Sequence, residues 1–175
     1  MWIIIEVTRT ARLGEAAGVI HMTDKIMKEM EGRWFLQYSG CPMWKAGNID
    51  TISFNYTLEH RGEELVLKDV VEYRKNGRMR MKSGIDIPGD DGRTFQWRGI
   101  GVGNKLFRGK SRVLMNEDGI LVIWFERTLG SQESIDVLTR KRHLTSKESE
   151  YILGILEKNN EYSRFIGNID AVNIG

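Results

Sequence analysis

Asp69 is the side chain in this sequence whose position most suggests chemistry. It follows the same alternation as Leu67 and Val71, so a strand would place its carboxyl on an otherwise apolar face. A carboxyl buried there would have a raised pKa, and it could orient a ligand by a hydrogen bond or act as a general acid. It could equally lie near the mouth of a barrel or pair with an arginine, with no chemical role. We favour this second interpretation. The same two interpretations, a chemical role or none, apply to Glu126, which is close to Trp124.

The histidines and the cysteine form no catalytic or metal-binding pattern. His21, His60 and His143 are isolated from one another, and none has a second histidine or a cysteine at ligand spacing. We therefore predict no metal site and no haem. Cys41 is the single cysteine, which excludes a disulfide within the chain. No nucleophile stands beside a base in a recognisable motif, and no cofactor is expected.

The composition is that of one globular domain. The chain has 175 residues, of which 41% are hydrophobic and 29% are charged, enough to bury a core. The formal charge of +2 is too small to suggest a nucleic-acid partner. Two stripes of basic residues alternate along predicted strands, which favours solvated outer faces. They consist of Arg78, Arg80 and Lys82, and of Arg108, Lys110 and Arg112.

The amino-terminal stretch does not resemble a signal peptide. Trp2 to Ile5 are apolar, but no basic residue precedes them and Glu6 interrupts them. No segment approaches the roughly 20 apolar residues of a membrane span. We expect a cytoplasmic protein.

The sequence between residues 50 and 140 predicts a succession of strands, and these strands must position Asp69 and the other candidate residues. Apolar and polar residues alternate there with the period of two that is typical of half-buried strands. Asn76-Gly77 is a strong signal for a tight hairpin, because both residues tolerate positive φ. With a first strand at Trp34 to Tyr38, about eight strands succeed one another without a long crossover. The pattern predicts an all-β, eight-stranded antiparallel up-and-down barrel.

Two helices are predicted beside the barrel. Thr145 and Glu148 form a capping box, and the apolar stripe behind it indicates a helix packed outside the strand at 120–125. Thr23 could cap a shorter helix that runs through Met30. We divide the chain into a barrel domain at 23–175 and an extension at 1–22. The extension could serve as a lid, or as a strand exchanged in a homodimer.

Two short motifs carry a resemblance to a known family. Gly32-Arg33-Trp34 stands behind the first helix, and Thr139-Arg140 stands at the end of the last strand. The chain thereby resembles the lipocalins of the calycin superfamily, and most of all their bacterial, apolipoprotein D-like branch. The resemblance implies a calycin barrel in which Arg140 packs over Trp34 and closes one end, with Gly32 as part of this closure. The middle motif of the family is degraded here at 116–119.

The alternation and the resemblance together predict which side chains face the interior. This lining is aromatic and flexible, and suits an apolar ligand better than it suits a solid core. The predicted ligand-binding residues are Leu36, Tyr38, Phe54, Tyr56, Leu67, Asp69, Val71, Tyr73, Met79, Met81, Phe95, Trp97, Val113 and Trp124.

Two functions remain open at this point. The first is the binding of a hydrophobic small molecule, such as a lipid, a polyene or a pigment. The alternative is a cofactor-independent cyclase or isomerase of natural-product biosynthesis, which needs shape and desolvation more than a catalytic triad. Its candidate catalytic residues are Asp69, Tyr73 and Tyr38, while Tyr56 and Trp97 would help to position the substrate.

Overall fold

The described residues form one barrel with helices at its end and side. The structure is a computed structural model, and it describes residues 22–101, 108–128 and 132–175. Helix α1 covers 22–30, and helix α2 covers Ser146–Lys158. The strands are β1 (Gly32–Ser39), β2 (Ile49–Arg61), β3 (Glu64–Lys75), β4 (Arg78–Pro88), β5 (Thr94–Gly99), β6 (Arg108–Glu117), β7 (Ile120–Phe125), β8 (Ser134–Thr139) and β9 (Asp170–Ala171). A 3₁₀ helix covers Ser163–Asn168.

Strands β1 to β8 close into a cylinder. Each strand from β2 to β7 pairs antiparallel with the next, while β1 pairs with β2 through its first half and with β8 through its second. The short β9 adds to the end of β1. Asn76 and Gly77 both have positive φ, as expected for the tight β3–β4 hairpin. The prediction of an eight-stranded antiparallel up-and-down barrel is confirmed.

Strand β7 is apolar on both faces because two separate cores meet it. Leu121 and Ile123 belong to the inner core, whereas Ile120 and Val122 belong to a second core outside the barrel. Helix α2 covers this outer core with Ile152 and Leu156, which are both buried. The predicted capping box is present, with Glu148 N donating to Thr145 Oγ1 and Thr145 N donating to Glu148 Oε2.

One end of the barrel is closed by Trp34 and Arg140. The guanidinium carbon of Arg140 lies 3.7 Å from the centre of the buried Trp34 ring. Its nitrogens donate to the backbone oxygens of Arg33, Glu29 and Glu31 at 2.8–3.0 Å. Gly32 has φ +100°, and a Cβ atom there would lie 3.0 Å from Arg140 Nη1. The contact implied by the family resemblance is therefore present, and it also caps the end of α1.

Strand β4 faces the opposite way from the prediction. Met79 and Met81 are 61% and 66% exposed, so their assignment to the interior is wrong. The reason is the β3–β4 register, in which Val71 lies opposite Lys82 and Asp69 lies opposite Gly84. Opposed residues share a face of the sheet, so β4 turns its even-numbered residues inward.

Tyr38 and Trp124 are also outside the barrel. A β-bulge between Leu36 and Tyr38 reverses the alternation of β1, which turns Tyr38 toward the outer core and Ser39 inward. Trp124 follows Val122 on the outer face of β7, and its Nε1 donates to Glu133 Oε1 at 2.6 Å. Both assignments to the lining are corrected on these grounds.

Candidate functional site

A cavity of about 220 Å³ lies at the end of the barrel opposite the Trp34–Arg140 closure. Its outer wall comes from the loop between β1 and β2, which contributes Cys41, Met43 and Trp44. Its inner wall consists of strand residues that point into the barrel. They are Phe54, Asp69, Val71, Lys82, Trp97, Gly109, Ser111, Phe125, Ser134 and Asp136. We call this space the mouth cavity.

The barrel is packed more tightly beyond the mouth cavity. A second void of about 20 Å³ lies toward Met30 of α1 and is lined by Tyr56, Asp86, Phe95 and Val113. A space of that size holds about one water molecule. Asp69 and Trp97 border both spaces. Within the barrel, room for a ligand is therefore concentrated at the mouth.

Aromatic rings make the walls of the mouth cavity rigid. Trp44 packs edge-on against Phe54 and Tyr73, with ring centres 6.3 and 5.4 Å apart. Such contacts stabilise each ring beyond its simple burial. Trp44 is buried although it lies in a loop. The alternation of strands does not predict it, and neither does any other pattern in the sequence.

Among the described residues, three aspartates are buried in the barrel. Asp69 and Asp86 are each 5% exposed and Asp136 is 1% exposed. Asp69 Oδ2 accepts a hydrogen bond from Trp97 Nε1 at 3.0 Å, whereas Asp69 Oδ1 is buried and finds no hydrogen-bond partner in the described part of the chain. Asp136 Oδ1 accepts from Ser39 Oγ at 2.5 Å. Asp69 therefore lies near the mouth, as the preferred interpretation expects, but it is buried there and its hydrogen-bond partner is Trp97, not an arginine.

Burial changes the protonation of these carboxyls. It raises the pKa of Asp69 and that of Asp136 to about 7, and the hydrogen bonds from Trp97 and Ser39 offset only part of the effect. The pKa of Asp86 is raised by burial and then by the charge of Asp69. Burial, followed by the nearby carboxylates, raises the pKa of Tyr56 well above its ordinary range. Burial therefore favours the protonated form of these carboxyls up to about neutral pH.

Lys82 brings a positive charge to the mouth. Its Nζ lies 3.1 Å from Met43 Sδ and 5.9 Å from the Trp44 ring centre, and burial lowers the pKa of the amine. The basic alternation of β4 predicts Lys82 on a solvated outer stripe, and the β3–β4 register corrects this prediction. Asp86 is missing from the predicted lining for the same reason. Among the described residues, no group of carboxyl, imidazole and thiol side chains has the arrangement of a metal site.

The remaining predicted lining residues point inward but differ in what they border. Phe54, Val71 and Trp97 line the mouth cavity, whereas Tyr56, Phe95 and Val113 line the inner void. Leu36 and Leu67 are buried in the inner core. Tyr73 is half-buried and packs against Trp44.

Comparison with known proteins identifies the fold. No family model and no curated protein sequence matches the chain. Among solved structures, lobster apocrustacyanin A1 matches with a TM-score of 0.58 at 10% identity, covering 87% of this chain and 86% of that one. The chain has a calycin fold. Two further calycin structures match it: apocrustacyanin C1 with a TM-score of 0.57 at 10% identity, over 87% and 86% of the two chains, and the siderocalin Ex-FABP with 0.57 at 12%, over 83% and 94%.

Proposed function

We propose that this calycin barrel binds a small, largely apolar molecule in the mouth cavity. The observation that carries the proposal is an aromatic-walled space of about 220 Å³ in a barrel that is otherwise packed. Protein interiors normally leave few voids larger than a water molecule. The apolar side chains that line this space are in contact with solvent, and a bound apolar ligand would remove their surface from water.

The comparison structures support the same function. The siderocalin Ex-FABP is described as functioning through dual ligand specificities. The cavity of this chain is smaller than the usual range for drug-sized ligands. We therefore propose a ligand of one ring or a short chain in place of the larger lipid, polyene or pigment molecules considered from the sequence.

Gly109 offers a direct test by blocking the cavity. It lines the mouth cavity, and a Cβ atom there would have no atom within 4 Å. Gly109→Phe should place a ring in the space and abolish the binding of propylbenzene, measured by calorimetry and by tryptophan fluorescence. Far-ultraviolet circular dichroism and urea unfolding report whether the barrel remains folded.

A matched variant is available on the outside of the barrel. Gly154 of α2 lies away from the cavity, and a Cβ atom on it would likewise have no atom within 4 Å. Gly154→Phe should bind propylbenzene like the wild type. Equal affinity of the wild type and Gly109→Phe would show that the ligand does not enter the mouth cavity.

The alternative of a cyclase or isomerase gains no support from these neighbours. Of its candidate catalytic residues, only Asp69 lies on the mouth cavity, while Tyr73 packs behind Trp44 and Tyr38 lies outside the barrel. No described helix is long and apolar enough to span a membrane.

Several finer expectations stay proposals. Membership of the bacterial, apolipoprotein D-like branch is supported by the capped helix that follows β8. The cytoplasmic location rests on the sequence. The lid and the strand-exchanged homodimer concern the extension at 1–22, of which residues 1–21 lie outside the described residues.

A further inference from the structure

Asp69 borders the mouth cavity, and its buried Oδ1 has no hydrogen-bond donor among the described residues. Asp69 is 5% exposed, and Trp97 satisfies only its other oxygen. A buried carboxyl oxygen that accepts no hydrogen bond has lost its hydration without compensation, so such atoms are rare in folded proteins. The position borders the space in which the proposed ligand would lie. A hydrogen-bond donor on that ligand would complete the coordination of Asp69.

The charges around Asp69 favour a cationic donor. Its own strand places it on the inner face, and the neighbouring elements contribute Tyr56 from β2, Asp86 from β4 and Asp136 from β8. Lys82 faces the cavity from β4, but its Nζ lies against Met43 and Trp44 of the loop. Carboxyl groups are therefore concentrated in the inner part of the site.

At the rim of the mouth cavity the charges are mixed. Glu126 is half-buried there, while Arg108 and Lys110 are exposed to solvent. The exposed cations are screened by water and salt, whereas the buried carboxyls are screened far less. A ligand that enters the cavity thus passes Lys82 at the mouth and meets buried carboxyls deeper inside, which gain negative charge as the pH rises above about 7.

We propose that the ligand is an amine carried on a small apolar or aromatic body, with its ammonium group bound by Asp69 Oδ1. This inference rests on the proposed function, since it names the chemistry of the molecule in the same cavity. The aromatic walls would contact the apolar body, and the ammonium would donate the missing hydrogen bond. Charged hydrogen bonds of this kind are stronger than neutral ones.

Three probes of nearly equal size separate the contributions of charge, hydrogen bonding and apolar contact. They are phenethylamine, phenethyl alcohol and propylbenzene, which differ only in the last group of the side chain. At about pH 8, calorimetry should show phenethylamine binding roughly tenfold or more tightly than the alcohol, as a charged hydrogen bond predicts.

Asp69→Asn is the decisive variant. It should reduce the affinity for phenethylamine to that for phenethyl alcohol and leave propylbenzene within about twofold of the wild type. Asp90→Asn makes the same chemical change at an exposed turn residue and should alter none of the three affinities. At about pH 5 the ammonium persists while Asp69 is protonated, so the amine alone should bind about tenfold more weakly.

The indole N–H of Trp97 gives a readout at the site. It donates directly to Asp69, so its proton resonance should follow the titration of that carboxyl. Saturating phenethylamine should move the midpoint to lower pH, because an ammonium stabilises the carboxylate. Propylbenzene should not move it downward.

The outcomes separate the two proposals. If propylbenzene binds in the cavity but Asp69→Asn leaves phenethylamine binding unchanged, or the alcohol matches the amine, the amine inference is overturned and apolar binding stands. If no probe binds the wild type in a manner that Gly109→Phe abolishes, both proposals are overturned.

Discussion

Trp97 reaches Asp69 because residue 84 is a glycine. Gly84 lies opposite Asp69 in the sheet, and a Cβ atom on it would be 2.2 Å from Trp97 Cε2. The indole therefore lies directly against the backbone of β4, which only glycine permits. This close approach brings Nε1 to 3.0 Å from Asp69 Oδ2. At the scale of single residues, the site depends on the absence of a side chain at Gly84 as much as on Trp97 and Asp69.

Gly84→Ala should disrupt this arrangement. The added methyl must displace the indole, which lengthens or breaks the hydrogen bond to Asp69, and we expect a loss of about 1–3 kcal/mol in the free energy of unfolding. Urea denaturation measures the loss, and the Trp97 indole resonance should shift. Gly109→Ala is the control, since residue 109 also faces the cavity but has open space around a Cβ atom. Equal stability of the two variants would contradict this account.

At the scale of elements, the turn of the β3–β4 hairpin predicts which face of β4 points inward, and it does so better than the alternation of apolar and polar residues. Asn76-Gly77 predicts a two-residue turn, which pairs Lys75 with Arg78 and fixes every later pair. Counting back from that turn places Lys82 opposite Val71, on the inner face. Hydrophobicity alone selects the methionines of β4 as its inner face, and that choice is wrong. The error arises because β4 brings Lys82 and Asp86 inward against the usual polarity.

Other parts of the site could not be predicted from the sequence. The bulge that turns Tyr38 outward depends on the pairing of β1 with β8, which is about a hundred residues away in the sequence. No residue type near Tyr38 indicates the bulge. Trp44 lies in a loop whose path follows from tertiary packing. The strand order, the closure by Trp34 and the capped helix were predictable, because each depends on a strong local pattern or on a known motif.

Arg140 contacts three elements at the closed end. Its replacement therefore tests whether this end stabilises the fold without contributing to ligand binding. Arg140→Ala removes hydrogen bonds to the end of α1 and the cover over Trp34, and should lower the free energy of unfolding by about 1–3 kcal/mol. Propylbenzene affinity at the opposite end should change by less than about twofold. Urea unfolding and calorimetry measure the two quantities.

A conservative variant sharpens this test. Arg140→Lys keeps the charge but cannot reach several carbonyl oxygens with one planar group, so it should recover only part of the lost stability. Arg142→Ala, which removes bonds to Ile174 at the chain end, should cost less. A loss of ligand affinity in Arg140→Ala without a loss of stability would show that this pair belongs to the binding site.

At the scale of the whole molecule, acidic groups fall into two sets with opposite effects on stability. The interior carboxyls of Asp69, Asp86 and Asp136 have raised pKa values because they are buried. At the surface, hydrogen bonds from Lys141 and Thr145 lower the pKa of Glu148 to about 2, and the bond from Arg74 lowers that of Asp50. The first set favours protonation of the folded state, and the second set favours ionisation.

These two sets predict a stability maximum at mildly acidic pH. An interior carboxyl with a pKa of 3.8 when unfolded and about 7 when folded holds its proton longer in the native state, so the free energy of unfolding falls as pH rises between these values. Glu148 acts in the opposite sense, and its contribution is lost as pH falls below about 4. Stability should therefore peak near about pH 4 and decline as the pH rises from there toward about 8.

Asp69→Asn separates the two branches of this profile. It removes one interior titration, so urea midpoints measured between about pH 5 and 8 should decline less steeply than in the wild type, and the variant should be the more stable protein at about pH 8. Glu148→Gln should leave that neutral branch unchanged and flatten the acid branch instead. Parallel profiles for the wild type and Asp69→Asn would mean that Asp69 is ionised in the folded protein throughout this range, and that the interior solvates its charge.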